Sequence, residues 1–174
     1  DRGQVLVVNL SKGRLGSDSA ALLGGVLTTM LAVAAFSRVS LPVEKRRPFF
    51  VYLDEFQTFT TRAVADMLAE LRKTGVAMIM AHQFLQQLDP PIRHAVLGNA
   101  GTMIAFRVGA DDAGYIAREF EPTFERLDLL NLPNFHIRLR LMIDGAPSKP
   151  FSAITVTPEE AAREALLHRQ GLRP

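Results

Sequence analysis

Through the first two-thirds of the chain, short and nearly continuous apolar runs alternate with longer stretches of helical spacing. This rhythm predicts an α/β domain built on a mostly parallel sheet flanked by helices. Gln4–Leu10 (QVLVVNL) is short and β-branched and predicts a buried strand. A loop, Ser11–Ser17, leads into a long helix from about Asp18 to Arg38, and the charged segment Glu44–Pro48 then predicts a surface loop. Phe49–Leu53 (FFVYL) predicts the second strand, ending on Asp54 and Glu55. Val64, Met67, Leu68 and Leu71 recur at helical spacing, so a helix is expected from about Thr61 to Lys73, stopped by Gly75. Val76–Ala81 predicts the third strand and runs into His82 and Gln83; a short helix over Pro91–Leu97 and a fourth strand, Thr102–Val108, follow. A helix near Ala110–Phe120 carries Asp111 and Asp112 in its first turn, where the helix dipole favours negative charge.

Beyond residue 120 the pattern changes. Phe124–Asn131 predicts a short helix and Leu132–Asn134 a turn. Phe135–Ile143 then alternates, with Ile137, Leu139, Leu141 and Ile143 on one side and Arg138 and Arg140 on the other. Gly145 and Pro147 turn the chain, and Phe151–Val156 is expected to return antiparallel as a C-terminal β-hairpin partner. Thr157, Pro158 and Glu160 form a helix start with a capping box, opening a last helix to about Arg169 that serves as a lid or a link onward. No boundary divides the pattern, which predicts one α/β domain over residues 1–174.

Composition narrows the picture. At 174 residues and 48% hydrophobic the chain can bury a sizeable core, and without cysteine it has no disulfides, thiolate nucleophile or Cys-based zinc site. A net charge of +2 argues against a uniformly basic nucleic-acid-coating surface, though not against a local basic cluster. The uncharged run Ala20–Phe36 is 17 residues long, the lower limit for a membrane span. Its Gly24, Gly25, Thr28 and Thr29 suit a helix packed on a sheet better than one facing lipid, so no membrane segment is expected.

The chemistry concentrates at strand ends. A strand that delivers Asp54 and Glu55 at its C-terminal edge places them in the crevice where open α/β sheets bind ligands. Side chains alternate along a strand, so the two acids leave in different directions and can take different roles. In phosphate chemistry one holds Mg²⁺ and the other orients or deprotonates the attacking water; a solvated acidic loop is the plain alternative. Gln83, at the tip of the next strand, is placed to hydrogen-bond a phosphate oxygen and a water, or is simply a polar strand exit. Arg107 lies in an apolar run and must find a partner: a phosphate, including one on a neighbouring subunit, or Asp111, Asp112 or Glu119. His82 reads as structural, and the four histidines show no metal-binding pairing. None of Lys12, Lys45, Lys73 and Lys149 follows a glycine, so there is no phosphate loop, and G-x-G-x-x-G, G-x-S-x-G and H-E-x-x-H are absent too.

Taken in order, VLVVNLSKGRLG, LLGG, RRPFFVYLDEFQTFTT, ELRKTGVAMIMAHQFLQQL and LGNAGTMIAFRVGADDA resemble the C-terminal half of the RecA-like motor domain of the type IV secretion coupling ATPases, within the HerA/FtsK group of DNA-pumping motors. The resemblance covers roughly Val5 to Phe151. It implies part of a hexameric, ATP-driven DNA translocase of a conjugation or secretion system, a RecA-like P-loop NTPase half. In this half Asp54 holds Mg²⁺ (Walker B), Glu55 activates water, Gln83 senses the γ-phosphate and also contacts nucleotide, and Arg107 acts across the subunit boundary. ATP and Mg²⁺ are the implied cofactors. DNA, further copies of the chain, and a relaxase or secretion-channel proteins are the implied partners. The implied location is cytoplasmic, with the full-length protein associated with the inner membrane. The family's phosphate loop lies N-terminal to these motifs. The start at Asp1 rather than Met favours a piece of a motor, inactive as an ATPase by itself, over a motor that has lost hydrolysis. The alternative is a non-hydrolysing α/β module that binds a relaxase, DNA or partner subunits.

Overall fold

A computed structural model describes residues 3–59 and 62–169. Two compact units emerge, residues 1–100 and 101–174.

In the first unit a short helix α1 (Lys12–Leu15) precedes the long helix α2 (Ser17–Ser37). The face α2 buries is made of small residues, Ala20, Gly24, Gly25, Thr28, Ala32 and Ala35, which permit close approach of a neighbour. Gly24 shows why: a Cβ there would lie 2.7 Å from Cβ and Cγ of Phe59. Thr28 and Thr29 tuck their hydroxyls back onto the helix, Thr28 donating to the Gly24 carbonyl at 2.8 Å and Thr29 to that of Gly25 at 2.8 Å. The opposite face, with Leu22, Val26, Met30 and Val33, is 49–69% exposed. The helix is therefore packed on one side only. With its 3₁₀ continuation to Ser40 it is also long and apolar enough, by length and composition, to cross a membrane.

The charged segment after α2 is held more firmly than a free surface loop. Arg46 donates to the carbonyls of Leu41 at 2.9 Å, Val39 at 3.0 Å and Lys73 at 2.5 Å, and Arg38 donates to that of Arg47. These bonds fix the entry to β1 (Phe49–Leu53), which pairs in parallel with β2 (Val76–Met80), Phe49 opposite Val76 and Leu53 opposite Met80. Between the strands runs α3 (Arg62–Glu70), extended by a 3₁₀ turn over Leu71–Lys73. Gly75, at φ 71°, supplies the left-handed residue that reverses the chain into β2. Helix α4 (Pro90–Asn99) closes the unit, and Phe56, Val64, Met67, Leu71, Leu85, Ile92 and Val96 form its core. The other face of the β1–β2 pair, with Phe50, Tyr52 and Ile79, is exposed.

In the second unit β3 (Met103–Ala105) pairs antiparallel with β4 (His136–Arg140), which pairs antiparallel with β7 (Phe151–Ile154). A small two-stranded ladder, β5 (Met142–Ile143) with β6 (Ala146–Pro147), sits between β4 and β7 in the chain. Helix α5 (Ala110–Phe120) buries Ala113, Ile116, Ala117 and Phe120, an apolar stripe at helical spacing. Helix α6 (Arg126–Leu130) starts with a reciprocal cap between Glu125 and Asp128. The last helix, α7 (Pro158–Arg169), starts with the expected capping box: the Thr157 N–H donates to Glu160 at 2.8 Å and the Glu160 N–H to the Thr157 hydroxyl at 3.2 Å.

Three sequence expectations are corrected. Gln4–Leu10 is not a strand: it pairs with no described segment, and Val5, Leu6 and Val7 are 79–89% exposed. A strand is defined by its ladder, and apolar patterning alone does not supply one. The sheet is not one mostly parallel sheet either. Among the described residues only β1 and β2 pair in parallel, and the other ladders are antiparallel. The expected strand Thr102–Val108 shrinks to three residues and belongs to the antiparallel set. The antiparallel return of Phe151–Ile154 onto β4 does form.

Candidate functional site

The carboxylates and the amide named from the sequence lie at adjacent ends of the two parallel strands of the first unit. The ladder continues past the strands: the Ala81 N–H donates to the Leu53 carbonyl at 2.9 Å and the Phe56 N–H to the Ala81 carbonyl at 3.3 Å. The segment after β1 is thereby held beside the segment after β2. Phe56 anchors it from beneath. Its side chain is 1% exposed and its ring meets that of His82 edge-on, with centroids 5.1 Å apart, which gives His82 a packing role.

Between Leu53 and Phe56 the backbone turns sharply. Glu55 adopts the left-handed conformation, φ 48° and ψ 41°, which is uncommon for a residue with a side chain and carries strain. Its N–H donates to Asp54 Oδ1 at 3.0 Å, closing the turn. The turn carries the Glu55 carboxylate across to the tip of β2, where Gln83 Nε2 donates to Glu55 Oε1 at 2.6 Å. The second oxygen, Oε2, accepts from Gln57 Nε2 at 2.5 Å. Asp54 and Gln83 are exposed, while Glu55 and Gln57 are half-buried.

The structure thus brings Asp54, Glu55 and Gln83 to one place and adds Gln57, which sequence reading passed over. The only signal for Gln57 was its position two residues after Glu55. Arg107 belongs to the second unit. It lies just beyond β3 rather than within a strand, is exposed, and donates to Asn134 Oδ1 at 3.3 Å. Of the acids proposed as its partners, Glu119 instead pairs with Arg140, at 3.3 Å. Among the described residues no group of three or more His, Asp or Glu side chains could hold a metal by itself.

The model of the type IV secretion-system coupling protein DNA-binding domain matches residues 14–120, more than half of the chain. The chain belongs to this family. Two crystal forms of the bacterial conjugative coupling protein TrwBdeltaN70 have a similar fold. The unbound monoclinic form aligns at 15% identity with a TM-score of 0.57, covering 73% of this chain and 36% of that one. The trigonal form in complex with sulphate aligns at 14% identity with a TM-score of 0.63, covering 79% and 37%. This coupling-protein chain therefore spans little more than a third of the length of those structures. At this identity the likeness concerns the α/β fold alone. No curated protein matches the chain significantly in sequence.

Proposed function

We propose that this chain is the Walker B portion of an ATP-driven DNA translocase that couples a conjugation or type IV secretion system to its DNA. The observation that carries the reading is the meeting of Glu55 with Gln83 across two adjacent parallel strand ends, beside Asp54. Such strand ends are where open α/β sheets take ligands. In this reading Asp54 holds Mg²⁺, Glu55 orients and deprotonates the attacking water, and Gln83 turns from Glu55 to the γ-phosphate of ATP. An exposed aspartate with no surrounding cage of acids fits Mg²⁺, which takes one or two carboxylates and completes its shell with water and substrate phosphates. Bound there, the ion would neutralise charge on the β- and γ-oxygens.

The phosphate-binding loop is supplied from outside residues 1–174, in a longer protein that works in the cytoplasm at the inner membrane. Both units belong to one partial RecA-like domain, and the family match, running across residue 100, supports treating them together. DNA is the partner the family's description supports. A hexameric assembly, with Arg107 reaching a neighbour's nucleotide, and a relaxase or channel protein as cargo or docking partner complete the proposal. The exposure of Arg107, with one long bond, leaves it free to make that reach.

The decisive experiment replaces Glu55 by Gln in the longer protein and measures nucleotide binding and ATP turnover separately. Binding should persist while turnover falls by about 10²- to 10⁴-fold, the usual contribution of a general base. Equal loss of both would make Glu55 a structural residue. Purified 1–174 should show no turnover at all; hydrolysis that disappears with Glu55→Gln would overturn the assignment of the phosphate loop to another segment. The other reading, a non-hydrolysing module that binds a relaxase, DNA or partner subunits, predicts turnover by neither protein.

A further inference from the structure

We infer that Gln57 is a positioning residue for Glu55, holding the carboxylate in its working orientation when Gln83 leaves it. The inference rests on the reading of Glu55 as the group that activates water. Three observations lead to it. Glu55 has two oxygens and each accepts from a different amide, Gln83 on Oε1 and Gln57 on Oε2. The two donors are not equivalent: Gln83 is exposed at the tip of its strand, whereas Gln57 is half-buried and follows Glu55 by two residues within the same turn. A group that swings toward a ligand needs the first situation, and a fixed support needs the second.

The third observation is a cost. Gln57 Oε1 is buried and has no hydrogen-bond partner, an arrangement that ordinarily lowers stability. Turning the amide over would set that oxygen against the Glu55 carboxylate, acceptor to acceptor, so the side chain keeps its donor on Glu55 and leaves its oxygen unpaired. The left-handed backbone of Glu55 adds a second local strain at the same place. Both features are tolerated where they aim one carboxylate.

Replacing Gln57 by Leu removes the unpaired oxygen together with the donor, so the fold should keep or gain thermal stability. In the longer protein the same change should lower kcat about 10- to 100-fold with KM for ATP nearly unchanged, the penalty for a misaimed reacting group. Gln57→Glu, of nearly the same shape, sets a like charge against Glu55 and should lower kcat at least as far. Glu55→Gln in the same protein separates the two claims. If Glu55→Gln abolishes turnover while both Gln57 variants turn over normally or faster, Gln57 does not position the carboxylate, although the reading of Glu55 survives. If Glu55→Gln leaves turnover intact, the reading of Glu55 fails and this inference falls with it. In the 174-residue chain, Glu55→Gln should shift the side-chain amide NMR signals of Gln57, and unmoved signals would overturn the contact itself.

Discussion

The acids at the end of β1 in the first unit and the charged side chains packed around β4 and α6 in the second are held in opposite ways. In the second unit charged side chains are bound into the fold. Arg140 donates to the Glu119 backbone carbonyl at 3.0 Å and to its carboxylate at 3.3 Å, and Arg138 lies 4.4 Å over the Phe124 ring and donates to Ser152 at 2.5 Å. Arg126 reaches the Ala110 carbonyl at 3.0 Å, and Glu125 and Asp128 cap α6. In the first unit the acids at the end of β1 are held by neutral donors, a backbone N–H and two glutamine amides. An amide orients a carboxylate without cancelling its charge, whereas a guanidinium does both. The first arrangement keeps negative charge available to a cation; the second uses charge to hold elements together. Substitutions at these two sets of charges should therefore differ in what they disturb, function at the acidic turn and stability around β4 and α6.

The largest effect on stability in the first unit is expected where packing, not charge, supports the acidic turn. Gly24→Val places a branched side chain where even a Cβ alone would lie 2.7 Å from Phe59, two residues beyond Gln57. Phe59 meets the intruder with its Cβ and Cγ, which cannot swing aside as a flexible chain end could. Overpacking of this kind costs about 1–3 kcal/mol. Denaturant unfolding should show that loss, and the Gln57 and Gln83 side-chain amide signals should move with it. Unchanged stability would mean that the α2 contact does not support the turn.

A smaller effect tests the comparison directly by pairing two arginines. Arg140→Met removes a pair whose side chains are 22% and 25% exposed, so the loss should be about 1 kcal/mol, well short of that for a fully buried pair. Arg107→Ala removes one long bond at an exposed position and should change stability by no more than about 0.5 kcal/mol. If Arg107 acts across subunits as proposed, its effect should appear instead in mixed oligomers of the longer protein, where variant subunits would lower the turnover of unaltered neighbours. Should Arg107→Ala unfold the chain while Arg140→Met does not, the roles given to the two arginines are reversed.

What could be read from the sequence divides along physical lines. Interactions within a few residues were legible. The capping box of Thr157 and Glu160, the stop at Gly75 and the acidic first turn of α5 all follow from local geometry. The meeting of Glu55 with Gln83 was legible because neighbouring parallel strands bring their C-terminal ends together. Pairing between distant segments was not. Gln4–Leu10 and Phe49–Leu53 look alike as apolar runs, yet only the second finds a ladder among the described residues, and nothing in Thr102–Val108 announces an antiparallel partner strand about 35 residues on. Gln57 was missed for a subtler reason: its contact depends on a left-handed backbone at Glu55, and no residue preference forecasts that for a glutamate.

The smallest effect concerns a carboxylate held for structure alone, the counterpart in the second unit to Glu55. Glu160 is fully exposed, and its bonds from the Thr157 backbone and then from the Thr157 side chain hold its carboxyl below the ordinary value of 4.5. A carboxyl whose pKa is lower in the folded state stabilises that state above the unfolded value, and the contribution disappears as pH falls through the folded value. The cap of α7 should therefore be complete at neutral pH and loosen only below about pH 4.5. The backbone amide signal of Thr157 should report this, moving with a midpoint under 4.5. Thr157→Val removes the hydroxyl but keeps the backbone donor, so the midpoint should rise only part of the way toward the ordinary value. A midpoint that stays put would assign the whole shift to the backbone bond, and a signal that does not titrate would show that the cap is not made.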